Sequence, residues 1–150
     1  MTRAEEVVWL ARKLHYIREL PDNRGARVEA LQRWSGGAPG QPWCAYLVAF
    51  VLDIAFEGKS PLPRTGSCDV LLETATRHGW LVPDPEAGDV FLVLKTPTDA
   101  VHTGFVTEVL GDGTVRTLEG NTNDDGSRDG YGVFERVRPL HTLSYIHYPR

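Results

Sequence analysis

Cys44, His102 and Glu119 are the side chains of this 150-residue sequence whose types, taken together, can break an amide bond. A thiol supplies the nucleophile, an imidazole takes its proton and returns it to the leaving group, and a carboxylate orients the imidazole. Cys44 stands in "GQPWCAYLVAFVLDIAF" (40–56), where Asp53 is the single charge. If Pro42 takes the first helical position, Cys44 falls in the first turn, where unpaired N–H groups and the positive end of the helix dipole favour an anion. Such surroundings lower a thiol from about 8.5 to about 3.5–7.5, enough to arm it at neutral pH. The same residue reads equally as one more small apolar side chain, since unpaired cysteine is among the most buried residue types. Its partners must decide.

Five histidines are available. His15 falls on the first helical segment, His78 at a helix end, His141 in a loop and His147 near the end of the chain. His102 differs, because it opens the strand "HTGFVTEV" and Gly104 follows two residues on, where a substrate backbone could come close. In "TLEGNTN" the strand ends on Glu119, which alone reads as a solvent-facing carboxylate and, beside His102, as the acceptor of its Nδ1–H. Asn121 alone is a turn residue. The loop also imitates half a calcium-binding loop with Asn121, Asn123, Asp125 and Gly126, but Gly132 stands where the bidentate glutamate belongs, so no metal is implied. Cys68, the second thiol, has Asp69 beside it to oppose ionisation and reads as a core cysteine.

The elements that must position these groups follow from periodicity. Thr2 and Glu5 have capping-box spacing, and Val7, Leu10, Leu14 and Ile17 recur on one helical face up to Pro21. Val28, Leu31 and 32–34 make a short second helix before "SGGAPG". Residues 43–57 run unbroken between Pro42 and Gly58 and predict a helix buried nearly all round. A fourth helix fits 67–78, capped by Ser67 or Thr65 and stopped by Gly79. From Gly88 onward short β-rich runs alternate with polar loops, and "GDG" at 111–113 signals a hairpin that makes the strands of His102 and Glu119 neighbours. The expectation is an α+β fold with N-terminal helices packed on a C-terminal, mostly antiparallel sheet of five to six strands.

Length fits one domain over 1–150, large enough to bury a core without disulfides. Hydrophobic content of 41% and charged content of 24% exclude disordered and coiled-coil classes. A net charge of −4 without a Lys/Arg cluster excludes nucleic acid as a partner. The longest apolar run, 44–52, falls short of the about 20 residues a membrane span needs. The charged N-terminal segment is not a secretory signal. Two widely spaced cysteines give neither a disulfide framework nor a zinc site, and no cofactor is called for.

In this order and spacing, "PWCAYLVAF", "GDVFLV", "HTGFV" and "LEGNT" resemble the CHAP group of cysteine amidases and endopeptidases, within the wider NlpC/P60 and papain-like class. The resemblance runs from "DNRGARVEAL" through "YGVFERV" and implies a papain-like fold cleaving amide bonds in bacterial peptidoglycan. It assigns Cys44 as nucleophile, His102 as base, Glu119 as its orienting acid and Asn121 as an accompanying polar residue. Trp43 and Asn123 are candidates for substrate contact. Many members place a glutamine directly before the cysteine, whereas here Trp43 intervenes, so Gln41 is the oxyanion candidate beside the Cys44 N–H. "PDNRGAR" lacks the carboxylates of the calcium loop some members carry, which leaves the metal expectation at none. A monomer that reaches the wall by phage lysis, injection or another route without a signal peptide is expected, with a delivery or immunity protein as partner. Two other readings stay open: a papain-like protease, deamidase or acyltransferase toxin acting on protein, and a non-catalytic wall-binding or phage structural module.

Overall fold

The capping box at Thr2 forms as its spacing implies: Thr2 Oγ1 accepts the Glu5 N–H at 3.1 Å, and Glu5 accepts the Thr2 N–H at 2.6 Å. It starts helix α1 (Arg3–Lys13), which buries Val7, Val8 and Ala11. The computed structural model describes residues 1–120 and 132–150, so Asn121, Asn123 and the calcium-loop imitation lie largely or wholly outside the described residues. Helix α1 ends well before Pro21. The Leu14 and His15 N–H groups reach only three residues back, to Ala11 and Arg12, and the chain peels away to bury Ile17 and bridge Arg18 to Gly132. Burial of Ile17 outweighs continuation of the helix.

Helix α2 (Ala26–Trp34) follows Gly25, whose φ of 116° a side chain would resist. Helix α3 (Cys44–Ala55) buries nine of its side chains, with Ala45, Leu47, Val48 and Leu52 fully enclosed. Full burial of each Val or Leu is worth roughly 1.5–3 kcal/mol, so this helix is fixed by what surrounds it. Helix α4 (Cys68–His78) is capped by Ser67 Oγ on the Val70 N–H at 3.2 Å and ends at Gly79, φ 70°.

Among the described residues six strands follow: β1 (Leu81–Val82), β2 (Val90–Thr96), β3 (Asp99–Val109), β4 (Thr114–Glu119), β5 (Phe134–Pro139) and β6 (Ser144–Ile146). They form one sheet in the order β1-β6-β2-β3-β4-β5, every neighbouring pair antiparallel. The fold is therefore α+β, helices first and sheet after. "GDG" closes the β3–β4 hairpin with Gly111 and Gly113 at φ 78° and 83°. Strand β3 starts three residues before His102, because β2 and β3 meet through the short turn at Pro97 and Thr98, and β1 is a two-residue edge. One sheet face, with Val90, Leu92, Phe105, Leu118 and Ile146, packs with α1–α4 in the main core. The alternate residues Phe91, Val106, Val115 and Tyr145 form a smaller cluster on the other face. Among the described residues no helix is long and apolar enough to cross a membrane.

Candidate active site

Trp43 caps α3 with φ −120° and ψ 9°, and Cys44 is itself the first helical residue, two positions later than a start at Pro42 would give. Leu47 is the first to donate back, to the Trp43 carbonyl at 3.0 Å, so the N–H groups of the first turn lie beyond the helical ladder. Trp43 is completely buried, which corrects its reading as a substrate contact. Its Nε1–H donates to Glu19 at 2.9 Å, and a Cβ on Gly120 would lie 2.6 Å from the Trp43 ring. The indole is thus a strut between the cysteine's helix and the end of the strand that carries Glu119. Gly120 is glycine to admit it.

His102 and Glu119 come together as the hairpin requires. His102 Nε2 lies 3.0 Å from Glu119 Oε1, with both side chains essentially enclosed. The nitrogen facing the carboxylate is Nε2 rather than the expected Nδ1. Cys44 and His102 are near enough for each to favour the other's charged form. The Phe91 and His102 rings meet in a T-shaped contact, centroids 5.8 Å apart. Gly104 does not open space for substrate. A Cβ there would meet the Leu118 carbonyl and Phe91 at 2.7 Å and Glu119 Cβ at 2.9 Å, so glycine lets β3 seat closely against the carboxylate.

Glu119 is held by more than the histidine. Arg138 on β5 donates from Nε to Oε2 at 2.9 Å and from Nη2 to Oε1 at 2.6 Å, a two-pronged charged grip. Thr117 Oγ1 donates to Oε2 at 2.7 Å, and Arg136 Nε stands 3.6 Å from Oε1. The sequence reading named none of these three. Arg136 and Arg138 alternate on one face of β5 opposite Thr117 and Val115, a pairing that depends on the β4–β5 register.

These contacts set the charges. Burial pushes Glu119 up, but Arg138 and then His102 overcome it and hold the carboxyl down at about 2. Burial likewise opposes a charged His102, yet hydrogen bonds and charge from Cys44 and Glu119 raise it to about 9. Cys44 is drawn well below an ordinary thiol, first by its hydrogen bond with Cys68, against burial, then by His102 and the Thr103 N–H. These shifts favour a thiolate facing an imidazolium, the pairing that arms a cysteine for attack on carbonyl carbon.

Gln41 is exposed, and its carboxamide oxygen is occupied within its own turn, accepting from Tyr46 OH at 2.6 Å and the Ala38 N–H at 3.0 Å. A Cβ on Gly37 or Gly66 would collide with Tyr46, so those glycines let the tyrosine brace the loop before the cysteine. His147 makes a second histidine–carboxylate pair with Asp89 at 2.8 Å. That carboxylate also accepts from Arg150 and the Glu86 N–H and anchors the segment after the last strand. Among the described residues no cluster of three metal-ligating side chains occurs.

The family model for the CHAP domain matches residues 36–121, more than half of the chain and the whole span from the cysteine loop to the end of β4. The crystal structure of Ly7917 is similar in fold, with a TM-score of 0.57 and 15% sequence identity over 99% of this chain. The chain spans 63% of the length of that protein. Among curated proteins, none matches the sequence.

Proposed function

Because the chain belongs to the CHAP family, we propose that it is a peptidoglycan amide hydrolase, an amidase or stem-peptide endopeptidase, with Cys44 as its nucleophile. The carrying observation is the enclosed His102–Glu119 pair at 3.0 Å, locked by Arg138, beside a cysteine at a helix N-terminus. The Cys44 thiolate attacks the amide carbonyl, and the carbonyl π electrons move to oxygen. The Cys44 N–H, at the first helical position, receives the oxyanion, with Gln41 as candidate second donor. The oxyanion collapses, the C–N bond breaks, and His102 gives its proton to the leaving amine. Neutral His102 then takes a proton from water, hydroxide attacks the thioester, and Cys44 leaves as thiolate. Glu119 keeps the imidazole oriented and stabilises its charged form through both steps, without itself being protonated.

Asn121, as an accompanying polar residue, and Asn123, as a substrate contact, belong to this proposal on the family resemblance. So does action at the cell wall. Purified sacculi and a panel of folded proteins, incubated separately with the chain, discriminate the substrate. Soluble muropeptides carrying a newly freed amine and carboxyl support the reading; intact sacculi beside cleaved or deamidated protein would overturn it.

A further inference from the structure

Cys68 has no part in the steps above, yet its sulfur lies 3.7 Å from that of Cys44. Both cysteines are free thiols and both are buried, at 9% and 5% exposure. An anionic sulfur so enclosed has little water to solvate it and must find protein donors instead. His102 and the Thr103 N–H both favour the charged form of the Cys44 sulfur. Cys68 is the third group within reach, and a thiol can donate.

Its placement is as constrained as that of the catalytic groups. Cys68 is the first residue of α4, so two helix N-termini, those of α3 and α4, meet at the sulfur pair. Both dipoles favour negative charge there. Asp69 Oδ1 accepts the Ala100 N–H at 2.6 Å, which pins the start of α4 to β3 two residues before His102. Leu71, Leu72 and Ala75 bury the body of the helix behind it. One junction thereby sets the positions of Cys68 and His102 relative to Cys44.

We propose that Cys68 is a positioning residue: its S–H, held by the first turn of α4, donates to the Cys44 sulfur and keeps that sulfur aimed and ionised for attack. Cys68 itself stays protonated. Its hydrogen bond with Cys44 and then burial raise its thiol far above the ordinary range, with the charges of Cys44 and Asp69 adding to the effect. The pair thus carries one proton, on Cys68, and one charge, on Cys44. A mere core cysteine in the same place would be replaceable by any side chain of similar size without consequence for Cys44.

This inference rests on Cys44 being the nucleophile, and its test needs no wall substrate. Thiolate absorbance near 240 nm is followed against pH in the reduced full chain, in Cys68→Ala and in Cys68→Ser. The matching Cys44→Ala forms are subtracted, and circular dichroism checks each fold. Loss of the donor moves Cys44 ionisation to higher pH by about one unit, a tenfold weaker acid, and serine restores it because its hydroxyl donates. An unchanged midpoint in Cys68→Ala, or serine behaving as alanine does, would overturn the assignment. Iodoacetamide labelling of the unsubstituted chain at pH 6–7 is independent of how the variants fold: Cys44 is expected to react first, and equal or faster labelling of Cys68 contradicts the proposal. A shifted midpoint in a protein that leaves sacculi intact would reject the proposed substrate and keep the role of Cys68.

Discussion

Replacing Arg138 with methionine removes the two donors that neutralise a carboxylate with no exposed surface of its own. Breaking one side of a buried ion pair costs about 3–5 kcal/mol, because the remaining charge is stranded. Arg138 is 20% exposed, and Glu119 would keep His102, Thr117 and the more distant Arg136, so the lower end applies, about 3 kcal/mol at pH 7. That is a large fraction of the about 5–15 kcal/mol that holds a domain together. The loss must also depend on pH in one direction. Glu119 titrates at about 2 when folded against an ordinary 4.5, so its contribution is fully present above 4.5 and is lost as pH falls toward 2. The gap between the parent chain and Arg138→Met therefore narrows from pH 7 to pH 3. Urea unfolding at pH 7, 5 and 3 measures it. Arg138→Lys should fall between, keeping charge but losing the planar fork. A gap below about 1 kcal/mol at pH 7, or one that does not change with pH, would refute the view that Arg138 holds the Glu119 charge.

Activity should require the Cys44 thiolate and the His102 imidazolium together, so kcat/KM against pH has a basic limb near 9, where His102 loses its proton. The raised value means His102 contributes fully to stability below 6.5 and loses that contribution as pH rises through 9; a basic limb near 6.5 would contradict the ion pair. Gly104→Ala places a methyl 2.7 Å from the Leu118 carbonyl and 2.9 Å from Glu119 Cβ, and is expected to cost about 1–3 kcal/mol in unfolding and to lower kcat more than it raises KM. An increase in KM alone would return Gly104 to the role of a substrate-facing glycine.

What was legible in the sequence follows local rules. Thr2 and Glu5, the apolar run after Cys44, Ser67 with Gly79, and "GDG" each carry their element in a few residues, and all four formed. Placing His102 beside Glu119 needed only the hairpin between them. What was hidden depends on long-range packing. Arg138 is joined to Glu119 across β4 and β5, strands that residues 120–133 separate in the sequence. A carboxylate with Val115, Thr117 and Leu118 beside it in its strand is the available signal that a partner must be opposite, but not which one. Cys68 read as core because its neighbour Asp69 opposes a charge, and it is core by burial. Its distance from Cys44 comes from the way α4 docks on β3, through a bond to the Ala100 backbone that no spacing announces. The positions of Trp43 and Gly104 suggest function, whereas packing uses both to bring the site's elements together.

The central claim is that the Cys44 sulfur cleaves wall amides, and mass spectrometry of purified sacculi digested by the parent chain and by Cys44→Ala tests it most directly. The account predicts muropeptides ending in a new amine and a new carboxyl from the parent chain, and none from a folded Cys44→Ala variant. The same fragments released at the same rate by Cys44→Ala would contradict it.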